Sequence, residues 1–190
     1  MAMRLATAPM IEPVTLAVMK EHLHYDASDQ DDRIEALIAV ARAACEAETN
    51  RAFLTQTWTL SLDRFPRGVI ELPHPPLQSV LSIAYTDTNG DAQALDESDY
   101  QVDAISEPGR IAPARGCTWP TTDSESFGAV IVSYQAGWSA AASVPDEIKH
   151  AIKLLSGHWF EHLEAVTMEG TPNTLPFAVS MLLNHWKVPA

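Results

Sequence analysis

Two hydrophobic periods alternate along this chain and predict an α+β fold: a small helical bundle with an inserted, mostly antiparallel β-region and a C-terminal tail helix. Apolar residues recur every three or four positions from residue 34 to 45 and again from 148 to 166, the spacing of helices buried on one face. Between them, residues 55–138 carry short runs of alternating apolar and polar residues separated by Pro and Gly. The 190 residues are 46% hydrophobic and 19% charged, which suits one globular domain, or a domain with a sizeable insertion.

Residues 1–13 read as a flexible arm, because Pro9, Glu12 and Pro13 interrupt any periodicity. The same breaks argue against a secretion signal. No apolar run approaches the length of a membrane span. Residues 14–54 form the first part of the helical core. Thr15 suits the N-cap of a short helix through Leu16, Met19 and Leu23, with Val14 placed to staple against Met19. A longer helix is predicted from Asp29 or Asp31, whose carboxylates favour the positive end of the helix dipole. Ile34, Leu37, Ile38, Ala41 and Cys45 mark its buried face, and Asn50 tolerates the left-handed conformation that stops a helix.

In the β-region, Trp58, Leu60 and Leu62 alternate with Thr57, Thr59 and Ser61. Leu81, Ile83 and Tyr85 form another strand that runs into Asp87, Thr88, Asn89 and Gly90, where Asn-Gly accepts the positive φ angles of a tight hairpin turn. Tyr100 and Val102, then Ile111, then Val130, Val132 and Tyr134 supply further short strands. Helical spacing returns over residues 143–167. Ser143 and Asp146 are spaced as a capping box, and Pro145 suits a first turn. Ile148, Ala151, Ile152, Leu155, Trp159, Leu163 and Val166 make the apolar stripe. Residues 168–190 are a tail with a short helix after Pro176.

Charge narrows the functional classes. With 25 acidic residues against 12 Lys and Arg, the net charge is −13. Such a surface repels phosphate, so DNA near this protein is expected to pass by without specific binding. Cys45 falls on an apolar helix face and Cys117 in a Gly- and Pro-rich stretch, and both read as reduced thiols in a cytosolic setting.

One motif invites a catalytic reading. His158, Trp159, Phe160, Glu161 and His162 fit H-x-x-E-H, with two imidazoles one helical turn apart. No third-ligand motif follows: Glu164 and Glu169 are only neighbouring acids, and His162 continues the stripe seven residues after Leu155. Coincidence explains the match better, which leaves a zinc-dependent hydrolase as a distant alternative. His22 and His24 read as a solvated helix end. Asp26, Asp29, Asp31 and Asp32 lack the Gly and the closing Glu of a calcium loop, and helix capping accounts for them. No nucleophile elbow, Walker loop or dinucleotide fingerprint occurs. The expectation is a chain with no catalytic residue, no cofactor and no metal.

The aromatic residues say more. Trp58, Trp119, Trp138 and Trp159 read as core, but Trp186 lies on a tail helix apolar on several sides: Phe177, Met181 and Trp186 on one, Val179 and Leu183 on another. So short a helix is marginal alone and must be buried, by the body of this subunit or by a neighbour. Leu175, Pro176, Phe177, Met181, Leu182, Leu183 and Trp186 are therefore candidate contact residues. Asn89 and Gly90, at the hairpin tip, are two more.

Taken in order, a series of short pieces resembles the head–tail connector (adaptor) family of long-tailed bacteriophages and prophages. Pro13 to Leu16 with Lys20, His22 and Leu23 come first, then Asp32, Ile34, Leu37, Ile38, Ala41 and Arg42. The run from Asn50 to Trp58 follows, then Leu72, Pro73 and the run from Pro75 to Val80. Tyr85, Asp87, Gly90, Tyr100, Asp103, Gly109, Arg110, Ile111, Trp119 and Pro120 continue it. Tyr134, Ala136, Gly137, Trp138, Val144, Pro145, Ile148, Ala151, Ile152, Gly157, His158 and Trp159 precede Leu175, Pro176, Phe177, Leu182 and Leu183. The resemblance spans roughly residues 13–188, and its specificity lies in the order of the pieces rather than in any one of them. Asn50 stands where the family often has Gly.

The resemblance implies a virion structural protein without catalytic activity. It implies a ring of about twelve copies joined by heterologous interfaces, located in the neck at the head–tail junction and assembled in the bacterial cytoplasm. Such a ring docks under the portal protein, completes the DNA-filled head and offers a platform for a head-closure or tail-terminator protein. DNA runs through its centre, and no membrane is involved. The alternative is another neck or tail component, such as a head-closure protein or minor tail component, although such a chain would be mainly β.

Overall fold

The computed structural model describes residues 1–123, 125–161 and 176–189. They fall into two compact units: a β unit of residues 1–10 and 55–139, and a helical unit of residues 11–54 and 140–189.

The helical unit holds α1 (Leu16–Leu23), α2 (Asp31–Thr49), α3 (Asp146–Glu161) and α4 (Phe177–Asn184). Thr15 has the extended backbone of an N-cap, and its hydroxyl accepts the Val18 N–H. Val14 and Met19 are both buried, as the staple requires. Ile34, Ile38, Ala41 and Cys45 line one face of α2, and Ile148, Ala151, Ile152 and Leu155 line one face of α3. The two helices pack together there. Burying each large aliphatic side chain contributes roughly 1.5–3 kcal/mol, so this seam is the unit's main source of stability. Asn50 ends α2 with φ 55°, its N–H donating to the Glu46 carbonyl. Ser143, expected to cap α3, lies instead in a 3₁₀ turn at Ala141–Ser143. The helix opens from the Pro145 carbonyl, which accepts the Lys149 N–H at 3.1 Å. The expected continuation of α3, with His162, Leu163 and Val166, lies outside the described residues.

In the β unit, a five-stranded antiparallel sheet has the order β1 (Ala2–Thr7), β2 (Gln56–Leu62), β8 (Val130–Ala136), β4 (Leu77–Thr86), β5 (Ala92–Ala94). A three-stranded sheet has the order β3 (Ile70–Leu72), β7 (Gly109–Pro113), β6 (Tyr100–Asp103). Leu60, Val132 and Ile83 stand opposite one another across β2, β8 and β4, and all three are buried. Tyr134 is buried too, its hydroxyl donating to the Pro73 carbonyl at 2.9 Å. Gly109 allows β7 to come close to β4, because a Cβ at that position would lie 2.6 Å from Leu77 Cβ.

Two expectations need correction here. Residues 1–13 are not simply a flexible arm: Ala2–Thr7 form β1, paired with β2 from Ala2 opposite Ser61 to Thr7 opposite Thr57. All six residues are exposed, so the strand is held by main-chain hydrogen bonds and has little amphipathic signature to read. Leu81 does not share the buried face with Ile83. A register shift between Val80 and Ser82 breaks the alternation at this point, and Leu81 is exposed.

Candidate protein-interaction site

The tail helix has two faces with different roles. Val179 and Leu183, four residues apart, are fully buried where α4 packs on α3 and α2. Beyond the helix, the end of α2 holds the chain in place. The Asn50 side-chain amide donates to the Val188 carbonyl at 2.9 Å, and the Val188 N–H donates to the Thr49 carbonyl at 2.9 Å. Arg51 Nε donates to the Trp186 carbonyl, and its guanidinium lies over the indole ring, 5.8 Å from the centroid. Lys187 pairs with Glu48. The alternative left open by the sequence is thereby resolved: the body of this subunit buries one side of the tail helix.

The other side stays uncovered. Phe177 is 80% exposed and Met181 64%, and their spacing stacks them on one face of α4. Large apolar side chains displayed together on an anchored helix make this face the first candidate contact surface. Leu182 and Pro176 are half-buried, and the Pro176 carbonyl accepts the first helical N–H groups, from Val179 and Ser180. Trp186, grouped with Phe177 and Met181 by sequence, is half-buried and pinned to Arg51 instead. Leu175 lies outside the described residues.

The second candidate surface is the loop between β4 and β5. Asp87 organises it: one carboxylate oxygen accepts the N–H groups of Asn89 and Asp91 at 2.8 and 3.1 Å, and the other accepts the Gln93 amide at 3.0 Å. The Asp87 carbonyl accepts the Gly90 N–H at 3.0 Å. These bonds, the one from Asn89 first, hold the Asp87 carboxyl below its ordinary range. Gly90 takes a positive φ of 86°, whereas Asn89 does not, so the loop is longer than the two-residue turn expected from Asn-Gly. Asn89 and Gly90 are exposed at its tip.

The chemistry-bearing motifs come to less. His158 and Glu161 are exposed, and His162 lies outside the described residues. Among the described residues, no three His, Cys, Asp or Glu side chains are grouped to hold a metal ion. Asp31 and Asp32 occupy the first turn of α2, and Asp31 pairs with Lys20 at 2.6 Å, as helix-start acids do. His24, at φ 51°, ends α1. Cys45 is buried and Cys117 exposed, and neither is in a disulfide. Thr49 and Arg51 escaped the sequence reading as anchors of the tail. Their partners lie more than a hundred residues away, and no local pattern announces such bonds.

Comparison with known proteins adds three observations. A family model for head completion proteins matches residues 14–171. No curated protein matches the chain. Among solved structures, a chain in the neck of an empty GTA particle, computed with C6 symmetry, shares the fold at a TM-score of 0.81 and 20% identity, covering 100% of this chain and 97% of that one. A chain in the virion of a native gene transfer agent particle matches at 0.81 and 19% identity, with the same coverage. A third, in the neck of a native GTA particle computed with C12 symmetry, matches at 0.77 and 21%, again over 100% and 97%. The match over 14–171 takes in most of the sequence, and on it the chain belongs to the head completion protein family.

Proposed function

We propose that this protein is a non-catalytic ring subunit of a virion neck. It docks under the portal protein, completes the DNA-filled head and gives the next neck or tail component its platform. Family membership supports the head–tail role, and the similarity to chains from necks computed with C6 and C12 symmetry supports a cyclic assembly. Function then comes from geometry. Heterologous contacts close the ring, and a surface of net charge −13 lets DNA slide through it without being held.

The observation that carries this reading is the uncovered pair Phe177 and Met181 on a helix whose other face is anchored in the same chain. A partner protein, for which the portal is the first candidate, covers that pair. The hairpin tip at Asn89 and Gly90 makes a second contact, within the ring or below it. The test is a Phe177→Ser, Met181→Ser double variant supplied to a producer strain that lacks the native copy. Filled heads without tails are expected, from a protein that melts like the wild type. Normal numbers of tailed particles would overturn the assignment of this surface.

A further inference from the structure

The helical unit contains a groove of about 590 Å³ where α1 and α3 both begin. Its apolar lining includes Val14, Val18 and Ala142, and its polar lining includes the cations Lys149 and Lys153 and the imidazole of His150, with Asp146 as the single carboxylate. His22 adds to this cluster, its ring meeting that of His150 edge to face at 6.2 Å. Burial holds the His22 imidazole below its usual range, and the positive fields of Lys153, His150 and His24 add to that effect. The positive ends of two helix dipoles converge on the same place.

On a chain of charge −13, such a patch is out of character. Three other cations of the unit are compensated by carboxylates: Lys20 by Asp31, Arg42 by Glu12 and Glu46, Lys187 by Glu48. Lys149 has Asp146 at 3.2 Å, but that carboxylate is 97% exposed and well screened. Lys153 makes no ion pair with a described residue.

The complementary surface is on the same unit, in the loop between α1 and α2. Asp26 and Asp29 are exposed there, and Asp32 is exposed in the first turn of α2 that follows. Asp29 accepts the Tyr25 hydroxyl at 2.7 Å, while Asp26 and Asp32 make no ion pair with a described residue. Tyr25 packs edge-on against Phe160 in the last turn of α3, with 5.6 Å between the ring centroids, whereas the groove lies at the first turns of that helix. From Asp146 to Phe160, a helix rises about 21 Å at 1.5 Å per residue. The acidic loop thus sits at the C-terminal end of α3, and the basic groove runs from the first turn of that helix to Lys153 at its middle. A patch that met its own copy would give a two-fold dimer and stop. Two different patches can instead join one copy to the next and repeat, as a ring requires.

We propose that the Lys149–His150–Lys153 groove receives the acidic loop, residues 26–32, of a second copy of this chain. The contact thereby passes from each subunit to the next, and it rests on the ring reading above. Salt weakens it, since much of the pairing lies within reach of solvent ions.

Charge swaps in assembled particles test it. Lys149→Glu with Lys153→Glu places acid against acid, and Asp26→Lys, Asp29→Lys and Asp32→Lys place base against base. Each set is expected to lower the yield of tailed particles by at least ~10-fold, because like charges facing each other across an interface cost several kcal/mol. A chain carrying both sets regains opposite charges and is expected to recover. Purified variants are melted to confirm that they fold. A second arm places Asp29→Cys and Lys153→Cys in one Cys117→Ser chain and oxidises the particles. Disulfides between copies then give a ladder of multimers on a non-reducing gel, and either cysteine alone gives none. Unchanged yields with the single sets, or folded particles without a ladder, would overturn the contact. If the wild-type chain is missing from purified necks, the ring reading itself falls, which is a different result.

Discussion

The tail helix and the β4–β5 hairpin are both candidate contact regions, yet they are ordered in opposite ways. Bonds from the far end of α2 hold α4 and the residues after it, across sequence separations of 135 to 139 residues. The tip of the hairpin is held by the Asp87 carboxylate, whose partners lie two to six residues away, while the Asp87 backbone bridges to Thr122 at its base. The difference teaches where fold and contact can be separated. On α4, one face serves the core and the other is free for a partner, so the two functions can be damaged independently. In the hairpin, the residues that shape the loop are the same ones that any partner would meet.

The largest expected effect sharpens the division on α4. Leu183→Ala is expected to destabilise the protein by roughly 2–5 kcal/mol, as large-to-small changes in a core do. Phe177→Ala is expected to stay within about 0.5 kcal/mol of the wild type. Urea unfolding of the two variants checks both values, and equal losses would erase the distinction between the faces. Next in size is Arg51→Met, which removes a charged donor from the Trp186 carbonyl and a cation from its ring. The expected loss is about 1.5–3 kcal/mol. It should be accompanied by faster exchange of the Val188 amide, measured by NMR.

A smaller effect belongs to the hairpin. Gly90→Ala introduces a Cβ at φ 86°, at a cost of about 1 kcal/mol, and the damage should stay local. Amide exchange at Asn89 and Asp91 is expected to rise while Val188 is unaffected. Spread to the tail would refute the claim that the hairpin orders itself.

The smallest effect concerns the two thiols. Burial pushes the Cys45 thiol up to about 12, with Glu46 and Glu48 adding to the shift, while Cys117 is exposed. A maleimide at pH 8 is expected to label one thiol in the folded protein and two in denaturant. Because the raised value belongs to the folded state, this group's contribution to stability is full below its ordinary value of 9.0 and is lost as pH climbs toward about 12. Cys45→Ala should flatten that alkaline slope, which denaturant titrations at several pH values would read.

The sequence carried the helices well because each shows its buried face locally. Ile34, Ile38, Ala41 and Cys45, and then Ile148, Ala151, Ile152 and Leu155, lie in the core as their spacing implies. Asn50 stops α2 in the left-handed conformation that its identity suggested. Strands β2, β4 and β8 were visible through alternation, but β1 was not, since an exposed strand paired by its backbone needs no apolar rhythm. Leu81 misled because a register shift changes the face of a residue without changing the residue type. Of the candidate contact residues, Phe177 and Met181 were legible as apolar residues in need of cover. That Leu183 would turn inward and Trp186 would be pinned by Arg51 depended on tertiary contacts with the end of α2.

The most direct measurement of the central claim is a reconstruction, at side-chain resolution, of the particle neck in which this chain is proposed to act. The account predicts a closed ring of copies between portal and tail, with protein density over Phe177 and Met181 and a passage for DNA through the centre. A neck without this chain, or one in which its copies form no closed ring and that pair faces open solvent, would contradict it.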